Sequence, residues 1–186
     1  MQIKVVLLDL GGVVFESTGI SNEIIDWKII SELNNKYGAD LNKGETTVDQ
    51  FLKEYNNRTK QHLDIQLFLK SIFDTLKHNE SLIKRLSVLP IYIVSDNYRE
   101  NIAYISERYS FNEWASNQFY SFDLALEKTD HRFFPRLLKE IDFPPHELLF
   151  IDDSIDKISN AIAVGINAIH FRGNTDLFKK LEPYGI

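Results

Sequence analysis

The chain has 186 residues, 44% apolar and 26% charged, which suffices for one domain with a full core and a small insertion. It has no cysteine, so disulfide scaffolds, zinc-thiolate sites, iron–sulfur clusters and cysteine nucleophiles are excluded. A net charge of −6 argues against a nucleic-acid partner, and no apolar run approaches a membrane span or a secretory leader, so a cytoplasmic location is expected.

Ile3–Leu8 is a short apolar, β-branched run ending in Asp-Leu-Gly-Gly, which predicts a buried strand. From 17 to 84 the pattern is helical. Ile25, Ile29, Leu33 and Tyr37 keep a helical period, as do Val48, Phe51, Leu52 and Tyr55, opened by Thr47 and Gln50 at capping-box spacing. Ile65, Phe68, Leu69, Ile72, Phe73 and Leu76 form the clearest apolar stripe. No strand signal occurs here, so the stretch reads as a small helical bundle inserted between the first and second strands. Further strands are predicted at Ile91–Val94, Gln118–Phe122, Leu148–Ile151 and Asn167–Phe171, with helical stripes over 98–109, 133–141 and 155–162. Pro135 is awkward inside the second stripe, and Gly165 stands where a C-cap belongs after the third. Strands alternating with helices predict an α/β fold, a parallel sheet with helices on both faces.

Three of these strands end in chemically useful residues: Asp9, Ser95 and the pair Asp152-Asp153. Each alone has an ordinary reading as a turn or capping residue. Together they fall at the carboxyl ends of strands in one sheet, where open parallel sheets bind ligands. Three converging carboxylates repel one another, and a hard cation with oxygen ligands, Mg²⁺, relieves that. Asp9 is then a candidate nucleophile on phosphorus that also holds the metal, and Ser95 a donor to a phosphoryl oxygen. Gly11 and Gly12 let backbone N–H groups approach the same oxygens.

The runs LLDLGGVVF (Leu7–Phe15), IVSDN (Ile93–Asn97), ALEKTD (Ala125–Asp130) and LLFIDDSIDKISNA (Leu148–Ala161) resemble, in order, the four motifs of the haloacid-dehalogenase-like superfamily. The resemblance covers about the whole chain. It implies a Rossmann-like core at 1–16 and 85–186, a helical cap at 17–84, and Mg²⁺-dependent phosphoryl transfer from a small phosphorylated substrate through an aspartyl-phosphate. Carried over by position, Asp9 is the nucleophile and Ser95 binds the phosphoryl group, with Asp96 and Gly12 beside it. Lys128 stabilises the charge on nucleophile and phosphoryl oxygens. Asp9, the Gly11 carbonyl and Asp153 hold Mg²⁺, with Asp152 in or next to its shell.

One departure matters most. The family usually has a second aspartate two residues after the nucleophile, supplying a backbone carbonyl to the metal and a side chain as general acid/base. Gly11 keeps the carbonyl and removes the proton donor, a loss worth about 10²–10⁴ in rate where the leaving group needs protonation. Lys157 replaces a frequent Asp or Asn, Thr129 a frequent proline, and Asp96 a frequent Asn. Asp96 either weakens phosphate binding or points away. The reading is therefore a phosphatase, with a catalytically weakened binding protein as the alternative. A metal-free dehalogenase has no use for the Asp152-Asp153 pair. No H-x-x-x-H, P-loop or G-x-G-x-x-G spacing occurs, and nothing in the cap names a substrate or an oligomeric state.

Overall fold

The computed structural model describes residues 2–18 and 23–186; residue 1 of the expected core and residues 19–22 of the expected insertion lie outside the described residues. The first apolar run forms β1 (Val5–Leu8), with all its side chains buried. A tight loop leads to β2 (Phe15–Ser17). Helices α1 (Trp27–Asn42), α2 (Val48–Thr59) and α3 (Ile65–Phe73) follow. β3 (Leu76–His78) then returns antiparallel to β2, pairing Phe15 with His78 and Ser17 with Leu76. This ribbon corrects the expectation that 17–84 holds no strand. Strands this short carry no legible alternation, and Leu76 also fits the preceding helical stripe.

The helix starts are set by capping side chains. Asp26 accepts from the Lys28 and Ile29 amides at 3.1 Å, and Asp64 from the Leu67 amide at 2.8 Å. The expected capping box is not formed. Thr47 is the N-cap of α2 without a side-chain capping bond, and Gln50 Oε1 accepts instead from the Thr46 hydroxyl at 2.9 Å.

The remaining elements are α4 (Glu80–Leu86), β4 (Ile91–Ser95), α5 (Arg99–Arg108), α6 (Phe111–Trp114), β5 (Asn117–Tyr120), α7 (Ser121–Leu124), α8 (Phe133–Leu137), β6 (Leu148–Asp152), α9 (Ile155–Ala163), β7 (Asn167–His170) and α10 (Asn174–Leu181). β5 stops earlier than expected because Ser121–Leu124 turns into a helix. α8 ends at Leu137, short of Ile141, and Pro135 lies in its first turn, where a missing N–H is tolerated. Gly165 follows α9 at φ +87°, the left-handed position that ends a helix and suits glycine.

The main sheet has five strands in the order β5-β4-β1-β6-β7, every neighbouring pair parallel. Period-2 geometry sends Val6, Leu8, Ile93 and Ile151 to one face, against Leu82 and Leu86 of α4, Ile105 of α5 and Leu177 of α10. Val5, Leu7 and Phe150 face the other way, against Phe133, Phe134 and Leu137 of α8 and Ile158 and Ala161 of α9. The fold is thus the expected α/β, Rossmann-like sheet with helices on both faces. Leu33, Phe51, Tyr55, Phe68 and Leu69 of the inserted helices close a core of their own. α4 crosses the expected boundary at 84/85 and packs on the sheet. Among the described residues no helix is long and apolar enough to cross a membrane.

Candidate active site

β1 is the central strand, flanked by β4 and β6, with Leu8 in register with both Ile93 and Ile151. The residues just beyond that register therefore meet at one edge: Asp9, Ser95 and Asp152. Lys128 reaches the same point from the loop between α7 and α8. Its side chain is fully buried, and its Nζ lies 2.6 Å from Asp9 Oδ1 and 2.6 Å from Asp152 Oδ2. The third proton goes to the Val94 carbonyl at 3.0 Å. The ammonium is thus saturated by two carboxylates and a carbonyl, which is how a buried lysine stays charged.

The loop that presents Lys128 is held from both sides. Its backbone N–H donates to Asp96 Oδ1 at 2.9 Å. Asn160 of α9 donates to the Lys128 carbonyl at 3.1 Å and to the Thr129 carbonyl at 2.9 Å. The second Asp96 oxygen pairs with Lys157 Nζ at 3.0 Å. Asp96 therefore has both carboxylate oxygens engaged by lysine groups. Ser95 is buried, and its hydroxyl reaches only 3.5 Å to the Asp96 carbonyl, the limit of a hydrogen bond.

Asp9, Asp152 and Asp153 each place a carboxylate oxygen within 4.8 Å of the others. Both Asp152 oxygens are already bonded, Oδ2 to Lys128 and Oδ1 to the Ser154 amide at 2.8 Å. Asp153 is exposed, its position fixed through its carbonyl, which sits 2.9 Å from His170 Nε2. The Gly12 N–H donates to the Phe15 carbonyl at 3.0 Å and so holds the loop. What the site asks of Gly12 is the absence of a Cβ. Its φ is +71°, and a Cβ there would lie 2.1 Å from Asp153 Oδ2. Gly11 differs: a Cβ there meets nothing within 4 Å.

Burial pushes the Asp9 carboxyl up from its ordinary range; Lys128 opposes this and Asp152 adds to it. Burial draws the Lys157 ammonium down, but Asp9, Asp96 and Asp152 outweigh it and hold the ammonium charged. Lys157 and Asn160 are the site residues that sequence reasoning did not assign. Their signal was their place one helical turn apart on α9, facing back to the Asp pair.

A strand-end aspartate, a buried lysine bridging it to a second aspartate, and a third carboxylate alongside thus form one acidic cluster at the carboxyl edge of the parallel sheet. The description "haloacid dehalogenase-like hydrolase" matches residues 3–165, and the chain belongs to that family. A HAD family enzyme of Bacteroides thetaiotaomicron, in its magnesium complex, shares the fold at TM-score 0.78 and 18% identity, covering 96% of this chain and 100% of that one. The same enzyme with magnesium and inorganic phosphate aligns at TM-score 0.70 and 17% identity, covering 95% and 99%. L-2-haloacid dehalogenase of Xanthobacter autotrophicus aligns at TM-score 0.66 and 12% identity, covering 100% and 84%. A drimenol cyclase of Aspergillus calidoustus is 24% identical over 201 residues; the match takes in 97% of this chain and 36% of that protein's length.

Proposed function

We propose that the protein is a Mg²⁺-dependent phosphatase acting on a small phosphorylated metabolite. The observation that carries this is the charge balance of the site. Four carboxylates (Asp9, Asp96, Asp152, Asp153) face two ammonium groups (Lys128, Lys157), leaving two negative charges in excess. A divalent cation with a preference for oxygen fits that deficit and that donor set. Asp9, the Gly11 carbonyl and Asp153 would hold it, since both Asp152 oxygens are taken. When bound, Mg²⁺ would neutralise charge on the phosphoryl oxygens. The magnesium and phosphate complexes of the Bacteroides relative support the same reading.

In this reading the free oxygen of Asp9 bonds to phosphorus as the ester P–O bond breaks, and the leaving oxygen takes up a proton. Water then attacks phosphorus, releasing inorganic phosphate and restoring the Asp9 carboxylate. Ser95 donates its hydroxyl to a phosphoryl oxygen. Lys128 opposes the upward push of burial on the Asp9 carboxyl and orients it, and its fixed charge serves the transition state without reorganisation. Asp96, Lys157 and Asn160 position the Lys128 loop. The inserted helices α1–α3 act as a cap over the core, to which α4 belongs.

Phosphate release from 4-nitrophenyl phosphate, with and without Mg²⁺, tests the proposal. Activity is expected with the metal only, and Asp9→Asn is expected to abolish it while near-UV circular dichroism stays native. Gly11 favours a second reading, a binding protein that retains the metal. Mg²⁺ binding without any phosphate release would establish that one.

A further inference from the structure

Of the three clustered aspartates, Asp153 is the least secured. Asp9 and Asp152 are buried and tied to Lys128, whereas Asp153 is exposed and its carboxylate has no hydrogen-bond partner among the described residues. What holds it comes from the last strand. β6 and β7 pair as far as Asp152 and His170. One residue further, the Phe171 N–H still donates to the Asp152 carbonyl at 2.8 Å. There the backbone ladder stops, and the next carbonyl, that of Asp153, meets His170 Nε2 at 2.9 Å. The imidazole thus supplies one more rung beyond the end of the sheet. On the opposite side the Gly12 backbone comes so close that a Cβ there would lie 2.1 Å from Asp153 Oδ2. Asp153 is therefore held twice, its carboxylate bounded by Gly12 and its carbonyl bonded to the ring.

The contacts of the ring fix where its proton sits. A carbonyl only accepts, so Nε2 carries the hydrogen and donates to Asp153. On the far side Arg172 Nε lies 3.3 Å from Nδ1. A guanidinium only donates and stays charged, so Nδ1 presents its lone pair. Both contacts select the same neutral tautomer. The chain itself brings the two side chains together. Phe171 is buried in the core, and residues on either side of it, two apart on extended chain, face the same way. Arg172 is exposed and forms no ion pair among the described residues, so no carboxylate competes for its Nε–H.

We propose, on the footing of the Mg²⁺ reading above, that His170 and Arg172 are positioning residues for the cation site. Arg172 selects the tautomer of His170, His170 fixes the backbone of Asp153, and Asp153 is thereby kept aimed at the space it shares with Asp9. Neither residue touches the ion or the substrate. Groups that orient a ligand in this way typically govern about ten- to a hundredfold of a site's metal affinity. The effect is largest for an exposed ligand, whose carboxylate otherwise turns to water.

The test is Mg²⁺ affinity, read by isothermal titration calorimetry on the full chain. His170→Phe keeps a ring and loses the donor, and is expected to weaken binding by about tenfold or more. His170→Gln returns an N–H near the Nε2 position and is expected to recover most of that loss. Arg172→Met separates positioning from plain charge. Removing a cation beside an acidic cluster would, by Coulomb attraction alone, tighten Mg²⁺ binding; acting through His170, it is expected to loosen it. A second readout needs no metal. Nitrogen-15 NMR of the His170 ring, assigned by its loss in His170→Gln, is expected to show the Nε2–H tautomer. Should His170→Phe fail to fold, which its urea midpoint in metal-free buffer would reveal, Arg172→Met and the ring spectrum carry the test. Wild-type affinity in His170→Phe, an equal loss in the Phe and Gln variants, tighter binding in Arg172→Met, or an Nδ1–H tautomer would each overturn the inference. A wild-type protein that binds no Mg²⁺ is a distinct result: it brings down the Mg²⁺ reading and the inference with it.

Discussion

Lys128 carries two carboxylates on one ammonium, each in direct contact at 2.6 Å, and its side chain has no exposed surface. Removing it leaves Asp9 and Asp152 buried against each other without a counter-charge. Lys128→Met is expected to cost about 3–5 kcal/mol of stability, read by urea unfolding, and Asp152→Asn in the same chain to recover part of that loss. Gly11 is the opposite case, a residue whose replacement the backbone permits. It lies outside the left-handed region, and a Cβ there meets open space. Gly11→Asp is therefore expected to fold and to restore a proton donor. Turnover of alkyl phosphates, whose alkoxides leave poorly, should rise by up to about 10²–10⁴, and that of aryl phosphates much less. Equal changes for both classes would show that protonation by this position is not limiting. Asp9, Ser95, Lys128 and the Asp152-Asp153 pair were legible because each has a fixed place relative to a strand end. The partition of their work was not legible. That Asp96 and Asn160 steady the lysine loop, and that Asp152 has no free oxygen, depends on contacts across 24 to 32 residues of chain.

Among the elements, the parallel strands were readable from short β-branched runs bounded by Gly, Pro and Asp, and the inserted helices from their apolar stripes. The ribbon of β2 and β3 was not, because three-residue strands give no period and their pairing joins residues about sixty apart. This ribbon holds His78, stacked on Phe15 with centroids 5.4 Å apart, its Nε2 buried without a partner. Burial holds its imidazole below the usual range, and Glu80, 3.8 Å from Nδ1, only partly offsets that. A base whose folded-state pKa is depressed favours the fold while neutral and opposes it once protonated. Its stabilising effect is therefore present above the unfolded value, near 6.5, and lost as pH falls through it. His78→Phe keeps the stack and removes the titration. Urea midpoints at pH 7.5 and pH 5 should show the wild type losing more stability on acidification than the variant; parallel losses would discount His78.

For the molecule as a whole, the two uncompensated negative charges predict a linkage between metal and fold. Mg²⁺ at about a hundred times its Kd should stabilise the protein by about 2.7 kcal/mol, a rise in Tm of roughly 5–10 °C for a chain of this size. Ethylenediaminetetraacetate should reverse it, and Asp153→Asn should blunt it; calorimetry reads both. The ribbon has a consequence at this scale too. The polypeptide leaves the catalytic core along β2 and re-enters along β3, and the two strands lie one sheet spacing apart, about 4.8 Å. Everything between them is joined covalently to the core through a neck one hairpin wide, and the helices beyond it share an apolar core with one another and rest against Tyr98 and Tyr104 at α5. Such an attachment makes the insertion exchangeable in evolution. Any segment whose ends meet at that spacing can be grafted there while the strand ends that carry Asp9, Ser95 and Asp152 stay in register, so selectivity and chemistry can diverge at independent rates.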